Sequence, residues 1–366
     1  GYSFLGFKES IEIYDVLLKM IKSNDSQVAC LAIRCLGKWN LPYLTNDITD
    51  HLELVATPSK SKRALASLCF AENSLDQNMN VTVIKKQDRS KTISLIIQIL
   101  IPRLQEMGSK NDSFRQAAYS WMAELSSTEI LPLVHTVLST VLLNEQKIII
   151  FDHNGTHSEE VQSNAWTQIC KGFPKLPLSS IYKFFRNLDD FLCYLGEHMF
   201  SYLHALVPVS LKLISNVAKL CENERETRIQ NRSLNSSQYV KDKNGKFKRS
   251  DNLNESKQAK HLRTFSLRVL ANLLARHPSF DYKFYSDDVK SILEPLLFRL
   301  LSECGASTTP VVLQILRAFS SSQYLLAYFW DIEESISTLR PVWEVLKSDV
   351  ASERSRFLCL EIAQNL

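Results

Sequence analysis

Glycine and proline are scarce, nine and eleven among 366 residues. Tight turns draw on glycine's free φ or proline's fixed one, so this shortage argues against a chain of many short strands. Eight cysteines (30, 35, 69, 170, 193, 221, 304 and 359) include no C-x-x-C pair, which removes the usual thiolate zinc and dithiol redox signatures. Most of them lie in apolar runs such as ASLCF and RFLCLEI, the setting of reduced thiols that pack as small hydrophobes. Also missing are a glycine-rich phosphate loop, a G-x-S-x-G elbow and an H-E-x-x-H helix. The expectation is a non-enzymatic chain with no cofactor, no metal and no small-molecule substrate.

Long hydrophobic runs are lacking too. In the stretch ILPLVHTVLSTVLL, residues 130–143, apolarity is broken by His135, Thr136, Ser139 and Thr140, and its length falls short of the ~20 residues a spanning helix needs. No membrane association is expected. No signal-peptide pattern opens the chain. It starts GYSFLGF without a methionine, which suggests a piece of something longer. Charge of one sign is not in large excess: 43 Lys and Arg against 39 Asp and Glu leave +4. That is compatible with an acidic partner without demanding one.

What the chain has in quantity is helical grammar. Val28, Leu31, Ala32, Cys35, Leu36 and Trp39 recur at helix spacing, with Asp25 or Ser26 as cap and Asn40-Leu41-Pro42 as stop. Cys35 lies on that predicted stripe. Cys30, five residues away, diverges by about 140°, so a shared metal is disfavoured against packing. Further helices are predicted over 43–56 and 61–72. A polar loop, ENSLDQNMNVTVIKKQDRS, then leads to the apolar KTISLIIQILIPRLQEM. Phe114, Ala117, Ala118, Trp121 and Leu125 share one face, and Val289, Ile292, Leu293, Leu296, Leu297, Leu300 and Leu301 trace another. Helical pairs of roughly 35–45 residues are the period of HEAT-type arrays. The expected fold class is therefore all-α, a HEAT/armadillo-like α-solenoid of antiparallel helix pairs.

Residues 222–260 break the pattern. They are polar and mixed in charge, and are expected to form an exposed, disordered insertion between helical-repeat halves at 1–221 and 261–366. KIIIFDHNGTHSEE (147–160) reads as a loop, and its Asp152, His153 and His157 as a solvated connector rather than a metal site. The acid pairs Asp189-Asp190 and Asp287-Asp288 are placed near helix starts, where negative charge complements the dipole. Adjacent residues point apart, so neither pair is a carboxylate dyad. His198 and His204 fit a packed helix near Tyr202.

Basic clusters are the remaining candidates for function. Lys241, Lys243, Lys246, Lys248 and Arg249 fall within nine residues, opposed by Asp242 alone. They fit contact with phosphates, a nuclear-targeting segment or a solubilising loop. Lys257, Lys260, Arg263 and Arg268 run on into the next predicted helix. Lys175, Lys183 and Arg186 are interleaved with Tyr182, Phe184 and Phe185, but YKFF fits the start of an amphipathic helix better than a base-stacking platform.

The order of segments carries a resemblance. SQVACLAIRCLGKWNLPYL, then RSKTISLIIQILIPRL, then FRQAAYSWMAELSSTEILPLVHTVL resembles the DRIM (down-regulated in metastasis) family, very large helical-repeat components of the small-subunit processome. The family's R-x-A helix, leading to a leucine-rich segment with an acid before a hydrophobic residue, matches Arg115 through Glu129. NLDDFLCYLGEHMFSYLHALVPVSLKLI and LRTFSLRVLANLLARHPSFDY followed by ILEPLLFRLL are similar to its next helix pairs. Gln98, where a basic residue is expected, and Pro102, which interrupts the end of its helix, depart from the pattern. The resemblance implies a nucleolar scaffold that contacts pre-ribosomal RNA, small nucleolar ribonucleoprotein components and other processome proteins. A protein-only HEAT-repeat adaptor in nuclear transport or chromosome organisation is the alternative.

Overall fold

The computed structural model describes residues 7–39, 41–70, 82–84, 88–104, 112–142, 176–234, 252–305, 309–326 and 332–366. They form two compact units: Gly1–Val137 with Cys193–His198, and Leu138–Leu192 with Met199–Leu366. Both are all-α in architecture, built from successive helices packed on one another.

The first unit begins with α1 (Phe7–Ile21), α2 (Ser26–Gly37), α3 (Asn46–Ala56) and α4 (Ser61–Ala66). Asp25 caps α2, its carboxylate accepting from the Gln27 backbone N–H at 2.9 Å. Thr45 caps α3 through Ile48. Each cap occupies an otherwise orphaned first-turn donor. Next come α5 (Arg89–Leu104), α6 (Asp112–Met122) and the start of α7 (Ser127–Ser139). In α5, Ile93, Ile96, Ile97, Leu100, Ile101 and Leu104 are all buried, a helix apolar on most of its circumference because neighbours cover it. Contrary to the expected interruption, α5 continues past Pro102 to Leu104.

Two expectations needed correcting here. The third predicted helix ends at Ala66, and Leu68–Phe70 forms a strand (β1) paired in parallel with Thr82–Ile84 (β2), Leu68 opposite Thr82 and Phe70 opposite Ile84. The β-branched Thr-Val-Ile run, expected within a polar loop, suits this pleated pairing. The buried face of α2 is Ala29, Ala32, Ile33 and Leu36, while Cys35 and Leu31 are exposed. The helix is therefore turned relative to the expected stripe, because small Ala29 and Ala32 admit close neighbours where Leu31 would not. Cys30 is partly buried, its thiol 3.8 Å from the Glu53 carbonyl on α3.

The second unit contains α8 (Leu178–Tyr194, to Leu192), α9 (Leu203–Leu234), α10 (Asn252–Arg276), α11 (Ser286–Glu303), α12 (Val311–Ser320), α13 (Ile332–Lys347) and α14 (Glu353–Asn365). Short 3-10 turns precede α9 and α11. Packing follows two rows. In one, α10 meets α12 and α12 meets α14; in the other, α9 meets α11 and α11 meets α13. Cross-contacts α9–α10, α11–α12 and α13–α14 join the rows.

Contacts within the first row fix a period. Ser322 donates to the Pro278 carbonyl 44 positions earlier, and Asn365 donates to Ser321, also 44 earlier. The Arg317–Glu361 ion pair at 3.0 Å spans the same interval. Equal offsets along α12 and α14 mean that the two helices run parallel, each one repeat after the last. A 44-residue repeat of stacked helix pairs is the arrangement the solenoid reading expects.

Between α8 and α10 the offset is larger. Asn272 donates to Asp189 at 3.4 Å across 83 positions, and the Tyr182 and Phe265 rings, at 5.3 Å, are separated by the same interval. The difference between 83 and 44 is 39 residues, the length of the segment 222–260. Contrary to the expected disordered insertion, helix enters that segment from both sides, α9 running to Leu234 and α10 starting at Asn252. Residues 235–251 lie outside those described, as does the predicted loop 147–160.

Candidate nucleic-acid interface

The sequence-predicted cationic residues that are described sit on α10. Lys257 and Lys260 are exposed within its first turns. Arg263 is partly exposed, with its Nε closed off from solvent and without a hydrogen-bond partner. Arg268, five residues further on, is exposed. None of the four makes an ion pair among the described residues. Lys241, Lys243, Lys246, Lys248 and Arg249 lie outside the described residues, so only the second cluster has a position in the fold.

Why α10 presents these side chains follows from its packing. Ala259, Leu262, Ser266, Leu267, Val269, Leu270, Leu273 and Leu274 are buried against the neighbouring helices. Lys257, His261, Thr264 and Arg268, at spacings of four, three and four, fall on one stripe and are all exposed. Lys260 borders this stripe, three residues after Lys257 and four before Thr264, and Arg263 lies further round the helix.

On α8, Phe184, Phe185, Leu188 and Phe191 are buried and Lys183 is exposed, so YKFF is an amphipathic helix start, as expected, with its phenylalanines in the core. Asp189-Asp190 lie in the C-terminal half of α8 rather than near its start; Asp189 serves the packing seam with Asn272 instead of a helix dipole. Asp287 and Asp288 do occupy the first turn of α11.

Histidines and tyrosines of this unit pack into an aromatic cluster. The His204 ring meets Phe280 at 4.8 Å, Phe280 meets Tyr282 at 4.9 Å, and the Tyr282 hydroxyl donates to the His277 carbonyl at 3.1 Å. Burial pushes Tyr202 and Tyr285 up to about 12, so both stay protonated and neither suits proton transfer near neutrality. Among the described residues no three His, Cys, Asp or Glu side chains are placed to hold a metal ion.

One described stretch, Gly196–Glu222, is long and apolar enough to cross a membrane by length and composition, with mean hydropathy 1.2. It exceeds residues 130–143, the candidate weighed from sequence. Yet 61% of that window is buried inside the protein, as in a core helix.

Residues 6–366 match the family described as U3 small nucleolar RNA-associated protein 20, N-terminal. The chain belongs to that family. No curated protein sequence matches it. The match to U3 small nucleolar RNA-associated protein 20, N-terminal, runs through both packed units, so it covers the repeats and the α10 cationic face alike.

Proposed function

We propose that this chain is a non-enzymatic scaffold in the nucleolar assembly of the small ribosomal subunit, of the DRIM type. On this reading it holds pre-ribosomal RNA, small nucleolar ribonucleoprotein components and other processome proteins against a helical-repeat surface. The observation that carries the reading is the match of residues 6–366 to a family named for its association with U3 small nucleolar RNA. The architecture supports it, because stacked helix pairs offer a large surface on which each repeat contacts only its neighbours. Lys257, Lys260, Arg263 and Arg268, which make no ion pair among the described residues, support contact with phosphates.

Crosslinking of the protein in cells, with sequencing of the attached RNA, tests this. Enrichment of small-subunit ribosomal precursor is expected. Its absence, together with unchanged protein partners after deletion of residues 225–258, favours the protein-only adaptor.

A further inference from the structure

From the α8–α10 seam we infer an RNA-phosphate cradle built by Arg186 and Arg268, a pairing of residues from two separate sequence clusters. It rests on the reading of this chain as an RNA-contacting scaffold and names a site for that contact.

The register places the two arginines. Tyr182 meets Phe265 and Asp189 meets Asn272, so α8 and α10 run side by side and parallel, with residue n facing n + 83. Arg186 stands between Tyr182 and Asp189, four and three residues from them, on the side of α8 turned to α10. Arg268 stands between Phe265 and Asn272, three and four residues from them, on the side of α10 turned to α8. The two therefore come within one residue of the same level, about 1.5 Å of rise, on either side of the seam that Tyr182–Phe265 and Asp189–Asn272 mark. Both reach the surface, Arg186 partly exposed and Arg268 exposed. Among the described residues neither makes an ion pair. Asp189 is engaged by Asn272, and Asp190 also has a partner. Two guanidiniums flank one furrow without an ion pair among the described residues, and each fork matches phosphate bidentately.

The shape of the surroundings selects the anion. Lys257, His261, Thr264 and Arg268 line the outer stripe of α10 over eleven residues, about 16 Å. Donors arrayed in a row fit successive phosphates of a strand rather than one phosphorylated side chain. Contacts of this kind supply affinity and position without reading bases.

The test is binding of a fluorescein-labelled RNA stem-loop to the whole chain, titrated across salt concentrations. Arg186→Gln with Arg268→Gln is expected to weaken binding by about tenfold or more and to reduce the salt slope by about one to two. Arg186→Lys with Arg268→Lys, which keeps the charge and the seam, should recover most of the affinity. Lys62→Gln, on an exposed lysine of the first unit, should bind as the wild type does. Thermal melts identify any variant that has lost its fold. Unchanged affinity in the glutamine pair, while Lys257→Gln with Lys260→Gln weakens binding, overturns the cradle and leaves direct RNA contact standing. No RNA binding by the wild type at low salt overturns both. Preference of the wild type for a phosphopeptide over the stem-loop, lost in the glutamine pair, overturns RNA as the ligand.

Discussion

Arg89, at the first residue of α5, grips Glu129 of α7 with both prongs of its guanidinium, Nε to Oε1 at 2.6 Å and Nη2 to Oε2 at 3.2 Å. Glu129 also accepts from the Ser126 backbone N–H at 2.9 Å and from its hydroxyl at 3.0 Å, so one carboxylate closes the α7 start and ties it to α5. Both side chains are largely removed from solvent. Arg89→Ala is expected to cost about 1–3 kcal/mol, read from urea unfolding. A loss below a few tenths would make the pair dispensable.

The same carboxylate sets a pH dependence. Burial alone would raise the Glu129 pKa, but Arg89 and Ser126 outweigh it and carry it below 4.5. A depressed folded-state pKa gives stability that is present above the unfolded value and lost as pH falls through the folded one. Acid unfolding below about pH 4.5 should therefore be less steep in Glu129→Gln than in the wild type. Parallel curves would remove Glu129 from the acid transition.

His51 acts at higher pH. It is buried on α3, with Nε2 2.9 Å from the Ala64 carbonyl, and burial lowers its pKa below 6.5 despite that hydrogen bond. Stability is thus held above about pH 6.5 and falls as acidification drives a proton onto the buried ring. Melting temperature should drop between about pH 6.5 and pH 5 in the wild type and stay flatter in His51→Gln. An equal drop in both would assign the change to other groups.

Gly37 and Gly305 should fail differently when made alanine. A Cβ at Gly37 would come within 2.8 Å of the Thr49 side chain, which is held by its hydroxyl donating to the Thr45 carbonyl. Gly37→Ala should cost about 1–3 kcal/mol, and Thr49→Ala should relieve much of it in the double variant. At Gly305 the obstacle is the Val350 backbone carbonyl at 2.8 Å together with the Val350 Cγ1 at 2.9 Å. Trimming Val350 removes only the second, so Val350→Ala should rescue Gly305→Ala poorly. Equal rescue at both sites would contradict the geometry.

Thiol labelling separates packed from accessible cysteines. Cys35 and Cys193 are exposed; Cys304 and Cys359 are buried. Burial, then the neighbouring Cys304, push the Cys359 thiol up to about 12, so thiolate is scarce near neutral pH. Maleimide on the native chain should modify Cys35 and Cys193, with Cys304 and Cys359 following only in denaturant.

The repeat was legible in the sequence because period survives in the spacing of apolar residues. The predicted interval of 35–45 residues and the 44-residue offset of Pro278–Ser322 and Ser321–Asn365 describe one quantity. Phase was less legible. Leu31 and Cys35 matched the α2 stripe as well as Ala29 and Ile33 did, and only the approach of neighbouring helices decides between them. The strand at Leu68–Phe70 was hidden because its partner, Thr82–Ile84, lies beyond a polar stretch and three residues carry no period. Lys257 and Lys260 were found by local charge density. Arg186 and Arg268 were not found as a pair, because what unites them is lateral register across 82 positions of chain. No local pattern records it.

The contacts Tyr182–Phe265 and Asp189–Asn272 share one offset of 83 positions. A change in chain length between Asp189 and Phe265 would therefore alter both by the same amount and leave the pairing of α8 with α10 intact.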